Sequence, residues 1–180
     1  MTDPIIRPRQ DADLESAGAA LVDVHSTDGY PVEGVADPVA WLKPAGLISS
    51  WVAELDGRIV GHVAISEPQP GDDAVRLWLE QSDDTVDKVA VIGRLFVTKA
   101  ARRKAIGEKL ARAVATDPAV RGKRLVLDVM DKDQDAIRLY ERLGLKRIGT
   151  TTHSFGEGQT ITAYCYVVPS VVLDEPTTTV

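Results

Sequence analysis

Arg94-Leu95-Phe96-Val97-Thr98-Lys99-Ala100-Ala101-Arg102-Arg103-Lys104-Ala105-Ile106-Gly107-Glu108-Lys109-Leu110 is the stretch whose reading decides the fold. It closes an apolar run, Val89 to Val97, that predicts a buried strand. The run breaks into a basic turn and then into a helical pattern that opens near Ala105. The first N–H groups of a helix have no internal partner, and the dipole adds roughly half a positive charge there. With Arg102, Arg103 and Lys104 at the same place, the unit reads as an anion cradle. A solvated basic turn in an ordinary βα unit is the plainer alternative.

Outward from this stretch the elements are well punctuated. On the N-terminal side, Ile5-Ile6-Arg7-Pro8 predicts a short edge strand. Asp11 to Leu14 opens a helix whose buried face is Leu14, Ala17, Leu21 and Val24. Asp28-Gly29-Tyr30-Pro31 is a turn, and Asp37-Pro38 caps a short helix through Leu42. Ser50–Leu55, Asp56-Gly57 and Arg58–Ser66 form a hairpin. Asp72 to Asp84 reads as an insertion with a short helix around Ala74 to Leu79, overhanging the next strand.

On the C-terminal side, Ile106, Leu110 and Val114 define one helix face, which Asp117-Pro118 ends. Arg124–Met130 is a further buried strand. Asp131 to Asp135 supplies an N-cap for a helix with Ala136, Leu139, Tyr140 and Leu143 on one face, and Gly144 reads as a C-terminal glycine of the kind that takes positive φ. Leu145–Thr152 and Thr160–Val168 make a final strand pair. The sum is an α+β fold of three α/β layers: a mixed, mostly antiparallel sheet with helices on both faces. It forms one domain over residues 1–168, and residues 169–180, threonine-rich with Pro176, are expected to be a disordered tail.

Composition narrows the function. The chain has 180 residues, 44% hydrophobic and 27% charged, with a net charge of −6. An acidic balance argues against a nucleic-acid partner. The acidic group Asp72-Asp73, Glu80, Asp83-Asp84 and Asp87 reads as a solvated loop, with attraction of a cationic substrate as the sharper alternative. The single Cys165 lies in an apolar run, which fits a core residue in a reducing cytoplasm. Met1-Thr2-Asp3-Pro4 carries no signal pattern, and no apolar run approaches the ~20 residues of a membrane span. His25 and His153 lack partners at metal spacing, so no metal is expected.

The turn Arg102-Arg103-Lys104-Ala105-Ile106-Gly107 resembles the Arg/Gln-x-x-Gly-x-Gly/Ala loop of the GNAT family of N-acetyltransferases. Asp133-Gln134-Asp135-Ala136-Ile137-Arg138-Leu139-Tyr140-Glu141-Arg142-Leu143-Gly144-Leu145 is similar to that family's Asn-x-x-Ala-x-x-Leu-Tyr-Glu-x-x-Gly-Phe segment. The element order matches from about Ile5 to Val168. The resemblance implies a fold that binds acetyl-CoA as co-substrate. Main-chain groups of Leu95, Phe96 and Val97 would pair with the pantetheine arm where the central strands splay. N–H groups from Arg103 through Lys104, Ala105, Ile106, Gly107 and Glu108 would hold the pyrophosphate, helped by Arg102. Asp133 and Ala136 would border the cofactor, and Tyr140 would sit near the CoA sulfur as the catalytic proton donor.

Three positions depart from the family pattern. Ala105 and Arg103 stand where glycine is common, and alanine fits if its φ is negative. Asp133 replaces the usual Asn. Many relatives also carry a glutamate on the central strand, and here Val89 to Thr98 has no carboxylate. Glu54, Glu67, Asp128 or His62 acting through water are the candidates for the missing base, although His62 reads equally as a satisfied core histidine. Trp41 and Tyr30 could wall an acceptor pocket, whereas Trp51 and Trp78 read as core or rim residues. The implied reaction moves acetyl from acetyl-CoA to a small-molecule or peptide amine by direct attack in a ternary complex. The competing reading is a catalytically silent acyl-CoA-binding module. The last strand pair could support a homodimer.

Overall fold

The computed structural model describes residues 2–169; the expected tail lies, apart from Pro169, outside the described residues. Seven strands form one sheet in the order β1-β2-β3-β4-β5-β7-β6. They are β1 Ile5–Pro8, β2 Leu47–Leu55, β3 Arg58–Ser66, β4 Val89–Val97, β5 Arg124–Met130, β6 Lys146–Phe155 and β7 Gln159–Val167. All neighbours are antiparallel except β4 and β5, which a crossover helix joins in parallel. The helices are α1 Leu14–Asp28, α2 Pro38–Trp41, α3 Asp73–Gln81, α4 Ile106–Ala115 and α5 Gln134–Arg142.

Alternation along the strands sorts side chains to two faces. One face carries α4 and α5: Ile106, Leu110, Val114, Ile137 and Tyr140 pack on Ala53, Val63, Ile65, Ala90, Ile92, Leu125 and Leu127. The other carries α1 and α2 over Val52, Ile59 and Phe96, and α3 over Val89, Val126, Cys165 and Val167. Gly61 lets α4 approach: a Cβ there would meet Leu110 Cδ1 at 3.0 Å and Ile106 Cγ2 at 3.1 Å.

The segment after β3 covers the start of β4, where Val89 and Val91 cluster with Ala74 and Val75, and reaches beyond it. Ala74, Val75, Leu77 and Trp78 form an apolar stripe, so α3 lies as part of a layer against β5, β6 and β7. Asp133 holds the N-cap position of α5, but its side chain makes no cap bond and pairs instead with Lys132 at 3.4 Å. The first strand is anchored as its charge suggests. The Arg7 guanidinium meets both Asp13 oxygens at 2.8 Å and Glu54 Oε2 at 2.8 Å, tying β1 to the start of α1 and to β2. Among the described residues no helix is long and apolar enough to cross a membrane.

Candidate active site

The site begins with a fault in β4. Arg94 has φ +54°, and the β3–β4 register slips between the pairs His62–Phe96 and Ala64–Gly93. This β-bulge inverts the alternation. Before it, Val89 and Val91 face α3; after it, Phe96 faces α1 while Leu95 and Val97 face α4 and α5. The bulge also turns the strand away from β5. Pairing between the two stops at Val91–Val126, although β5 runs on to Met130 along β7. A wedge-shaped gap therefore opens in mid-sheet.

Main-chain direction decides which groups line the gap. Thr98 N–H donates to Val60 O at 2.8 Å, so Thr98 and, two residues back, Phe96 turn their main-chain groups to β3. Leu95 and Val97 turn theirs to the gap. Arg102 lies across the wide end: its Nη2 and Nε reach the Val97 carbonyl at 3.1 and 3.2 Å, and its Nη2 also pairs with Asp28 at the end of α1. Lys132 donates to the Asp28 carbonyl at 3.0 Å.

Beyond the gap lies the N-terminus of α4. Arg103 has φ +68° and Ala105 φ +56°, so the alanine is left-handed and not at the negative φ that would suit it. Left-handed residues alternating with right-handed ones turn successive N–H groups to one side, a nest for anions. Among the described residues the N–H groups of Arg103 and Ala105 have no main-chain acceptor, and those of Ile106, Gly107 and Glu108 open a helix with no side-chain cap. Gly107 lets this turn sit close to α5, since a Cβ there would meet Leu139 Cδ2 at 3.2 Å. Glu108 turns its carboxylate aside to Arg112 at 3.1 Å and Arg142 at 3.8 Å.

Tyr140 projects from α5, buried and tilted against Tyr166 with ring centroids 6.0 Å apart. Among the described residues its hydroxyl has no hydrogen-bond partner. Burial, with Asp128 and Asp133 nearby, pushes its phenol well above the usual range. Ala136, on the same helix, is half-buried against the core. Asp133 is held above the usual carboxylate range by burial, against the pull of Lys132.

The opposite face of the gap is built by the α1–α2 loop. Tyr30 stands edge-on to Trp41 at 5.7 Å, and Trp41 tilts against Phe96 at 6.3 Å. Burial raises the Tyr30 phenol too, and Tyr140, Asp133 and Asp128 reinforce it. The two tyrosines thus flank one gap from the two sheet faces. A cleft of about 240 Å³ continues from it, lined by Pro44, Ser66, Glu67, Asp72, Gly93 and Arg94 among others. Of the acidic group that the sequence suggested, Asp72 lines this cleft. Asp73 and Glu80 pair with Arg76, and Asp84 accepts from Trp78 Nε1 at 2.8 Å.

The four candidate bases separate. Glu54 is held by Arg7. His62 is fully buried, stacked on Phe96 at 5.5 Å; Nδ1 donates to the Arg94 carbonyl at 2.9 Å, so Nε2 is the unprotonated nitrogen and accepts from Arg9 at 3.0 Å. Burial lowers its pKa to about 4, and it is a structural support for the bulge. Glu67 lines the cleft. Asp128 stands on β5 across the gap from β4, on the cleft's face. Solvent reaches it, yet surrounding protein raises its carboxyl above the usual range, with Asp72 adding to the rise and His153 opposing it. His153 bonds Glu33 at 3.0 Å, joining the β6–β7 hairpin to the α1–α2 loop. Trp51 is a pin, donating to Asp117 at 2.9 Å. Among the described residues no group of three or more His, Cys, Asp or Glu is placed to hold a metal ion.

A model of the acetyltransferase (GNAT) family matches residues 19–145. The chain belongs to this family. The GNAT-fold chain is also similar to a Xenopus tropicalis protein named "Probable N-acetyltransferase camello", at 34% identity over 98 residues. That match covers 54% of this chain but 38% of the relative, so the chain spans well under half of that protein's length. Among solved structures, Arabidopsis thaliana NAA60 in complex with acetyl-CoA superposes with a TM-score of 0.68 at 20% identity, over 92% of this chain and 97% of that one. An N-acetyltransferase from Staphylococcus aureus Mu50 gives 0.67 at 18% identity, over 93% and 98%. Salmonella typhimurium yncA, solved with acetyl-CoA, gives 0.66 at 18%, over 99% of both chains. At these identities the structural likeness is one of fold. The GNAT chain shares with its family the mixed sheet and the helices on both faces.

Proposed function

We propose that this chain is an N-acetyltransferase that moves an acetyl group from acetyl-CoA to an amine by direct attack in a ternary complex. The observation that carries the reading is the gap between β4 and β5. It runs from the nest of N–H groups at the start of α4 to a cleft containing carboxylates. Its main-chain edge, Leu95 and Val97, can pair with an extended amide-bearing arm as an added strand would. The nest at Arg103 to Glu108 suits a pyrophosphate, and a bound cofactor would compete with Val97 and Asp28 for Arg102. Phe96 contributes its ring, because its main chain is committed to β3.

The chemistry falls to groups bordering the gap. An alkylammonium with pKa about 10 must lose a proton before it attacks. Asp128, on the strand beside β4, supplies the carboxylate that β4 lacks. Its raised pKa makes it a stronger base than an ordinary aspartate. The Leu95 and Val97 N–H groups face the gap and can meet the negative charge that develops on the carbonyl oxygen. Tyr140 keeps its proton, since its pKa lies above the ~8.5 of a thiol. It therefore donates a hydrogen bond to the departing thiolate. The nitrogen sheds two protons in all: Asp128 takes one to solvent and the thiolate takes the other. The single cysteine, buried, is consistent with a cytoplasmic enzyme.

The test is an acceptor screen with thiol release as readout, beside calorimetry of CoA binding. CoA binding with acceptor-dependent thiol release supports the reading. Binding without thiol release from any amine means a silent sensor, and absent CoA binding at millimolar ligand removes the cofactor assignment.

A further inference from the structure

Arg94 is the unexplained group of this cleft. The bulge presents it, His62 fixes its carbonyl, and its Nε donates to the Trp41 carbonyl at 2.6 Å. Its guanidinium lies over the Trp41 ring, 4.9 Å from the centroid. Three other half-buried arginines meet carboxylates, Arg7 with Asp13 and Glu54, Arg102 with Asp28 and Arg124 with Asp84, while Arg9 spends its guanidinium on the Leu42 carbonyl and His62. Among the described residues Arg94 has no such partner, and its two Nη groups make no hydrogen bond. Its cation is partly desolvated: burial lowers its pKa, with Tyr30, Glu33 and Asp72 opposing the shift without contacting the guanidinium. A guanidinium kept out of water with its fork free is arranged to receive an anion.

The cleft carries both signs of charge. Arg94 shares it with Glu67 and Asp72, and Asp128 lies beside the gap. A dianionic phosphate would meet one arginine and two carboxylates, so a monoanion fits better. A planar carboxylate matches two free Nη donors, and an ammonium on the same small molecule matches the carboxylates. We propose that Arg94 binds the carboxylate of the acceptor, and that the acceptor is a free amino-carboxylate of the α-amino-acid type rather than a peptide N-terminus. A peptide has a neutral amide at that position and leaves the guanidinium unpaired. This inference rests on the acetyl-transfer reading above.

The experiment compares free L-alanine, L-leucine, L-methionine, L-phenylalanine and L-glutamine with their carboxamides, by thiol release, in wild type, Arg94→Gln and Arg94→Lys. The wild type is expected to favour the acids by about tenfold to a hundredfold in kcat/KM, the worth of a charge-assisted pair. Arg94→Gln should raise KM for the acids by a similar factor and leave the amides nearly unchanged. Arg94→Lys should restore part of the preference. An unchanged CoA dissociation constant shows that the variants are folded. Amides used as well as acids, or a Gln variant that loses both alike, would overturn the carboxylate subsite while leaving acetyl transfer standing. No thiol release from any amine overturns the transfer reading. Calorimetry of the same acids with the CoA-loaded protein then decides the subsite: binding lost in Arg94→Gln supports it, and no heat at millimolar acid overturns it.

Discussion

Lowering the pH should destabilise this protein through His62, by an amount the structure sets. The ring is fully buried between Arg9 and the Arg94 carbonyl, and its pKa falls from 6.5 to about 4. Burial is the largest cause, the Arg94 carbonyl opposes it, and Arg9 and Arg94 add to it. Between those two pKa values the unfolded chain holds a proton that the folded chain refuses. Stability therefore rises with pH across this window and is lost as pH falls through it. At ~1.4 kcal/mol for each pH unit of displacement, the full loss below pH 4 is ~3 kcal/mol. That is a large share of the 5–15 kcal/mol typical of a domain. The assay is urea unfolding from neutral pH to below pH 4, in wild type and His62→Gln. Glutamine can still donate to Arg94 and accept from Arg9, but it does not titrate. Other carboxylates cancel in the difference between the two proteins. Wild type should lose ~3 kcal/mol more than the variant. A difference that stays flat with pH would refute both the tautomer assignment and the structural role of His62.

Other expectations follow from the same geometry. Asp128→Asn should lower kcat by ~10²–10⁴ with CoA affinity retained. In wild type the acid limb of kcat/KM should lie above the ~3.9 of a free aspartate, because the ionised form is required and its pKa is raised; the variant should lack that limb. Steady-state pH profiles check both. Tyr140→Phe should lower kcat with little change in CoA dissociation constant, and turnover unchanged at every pH would remove Tyr140 from the chemistry. Ala105→Gly should raise Tm by ~2 °C, because a left-handed alanine costs ~1 kcal/mol and the glycine's added freedom in the unfolded chain takes back part of it. Calorimetric melting with and without CoA reads the effect, and a lower Tm would argue against the left-handed turn.

Much of the site was legible because it is local. Asp56-Gly57, Asp117-Pro118 and Gly144 are punctuation that acts through neighbouring residues. The candidate anion nest at Arg103 to Glu108 could be read from the sequence because a strand, a turn and a helix N-terminus are contiguous in the chain. The positive φ of Ala105 was not legible, since alanine itself gives no signal for it. The positions Arg103 and Ala105 did carry a hint: the family often has glycine there.

The sequence by itself determined the strands, the helices, the faces they bury and the loop that can hold an anion, because these follow from periodicity and capping within short windows. Only the tertiary structure decided the site's working geometry. The bulge at Arg94 depends on the register of β4 against β3, and the gap depends on how far β4 keeps company with β5. Those pairings join residues some thirty positions apart, and a slip of one residue inverts every side chain beyond it. That inversion separates the ring of Phe96 from the main-chain edge of Leu95 and Val97. It also sets Arg94 in the cleft, where among the described residues it pairs with no carboxylate, and leaves Asp128 one strand away across the gap.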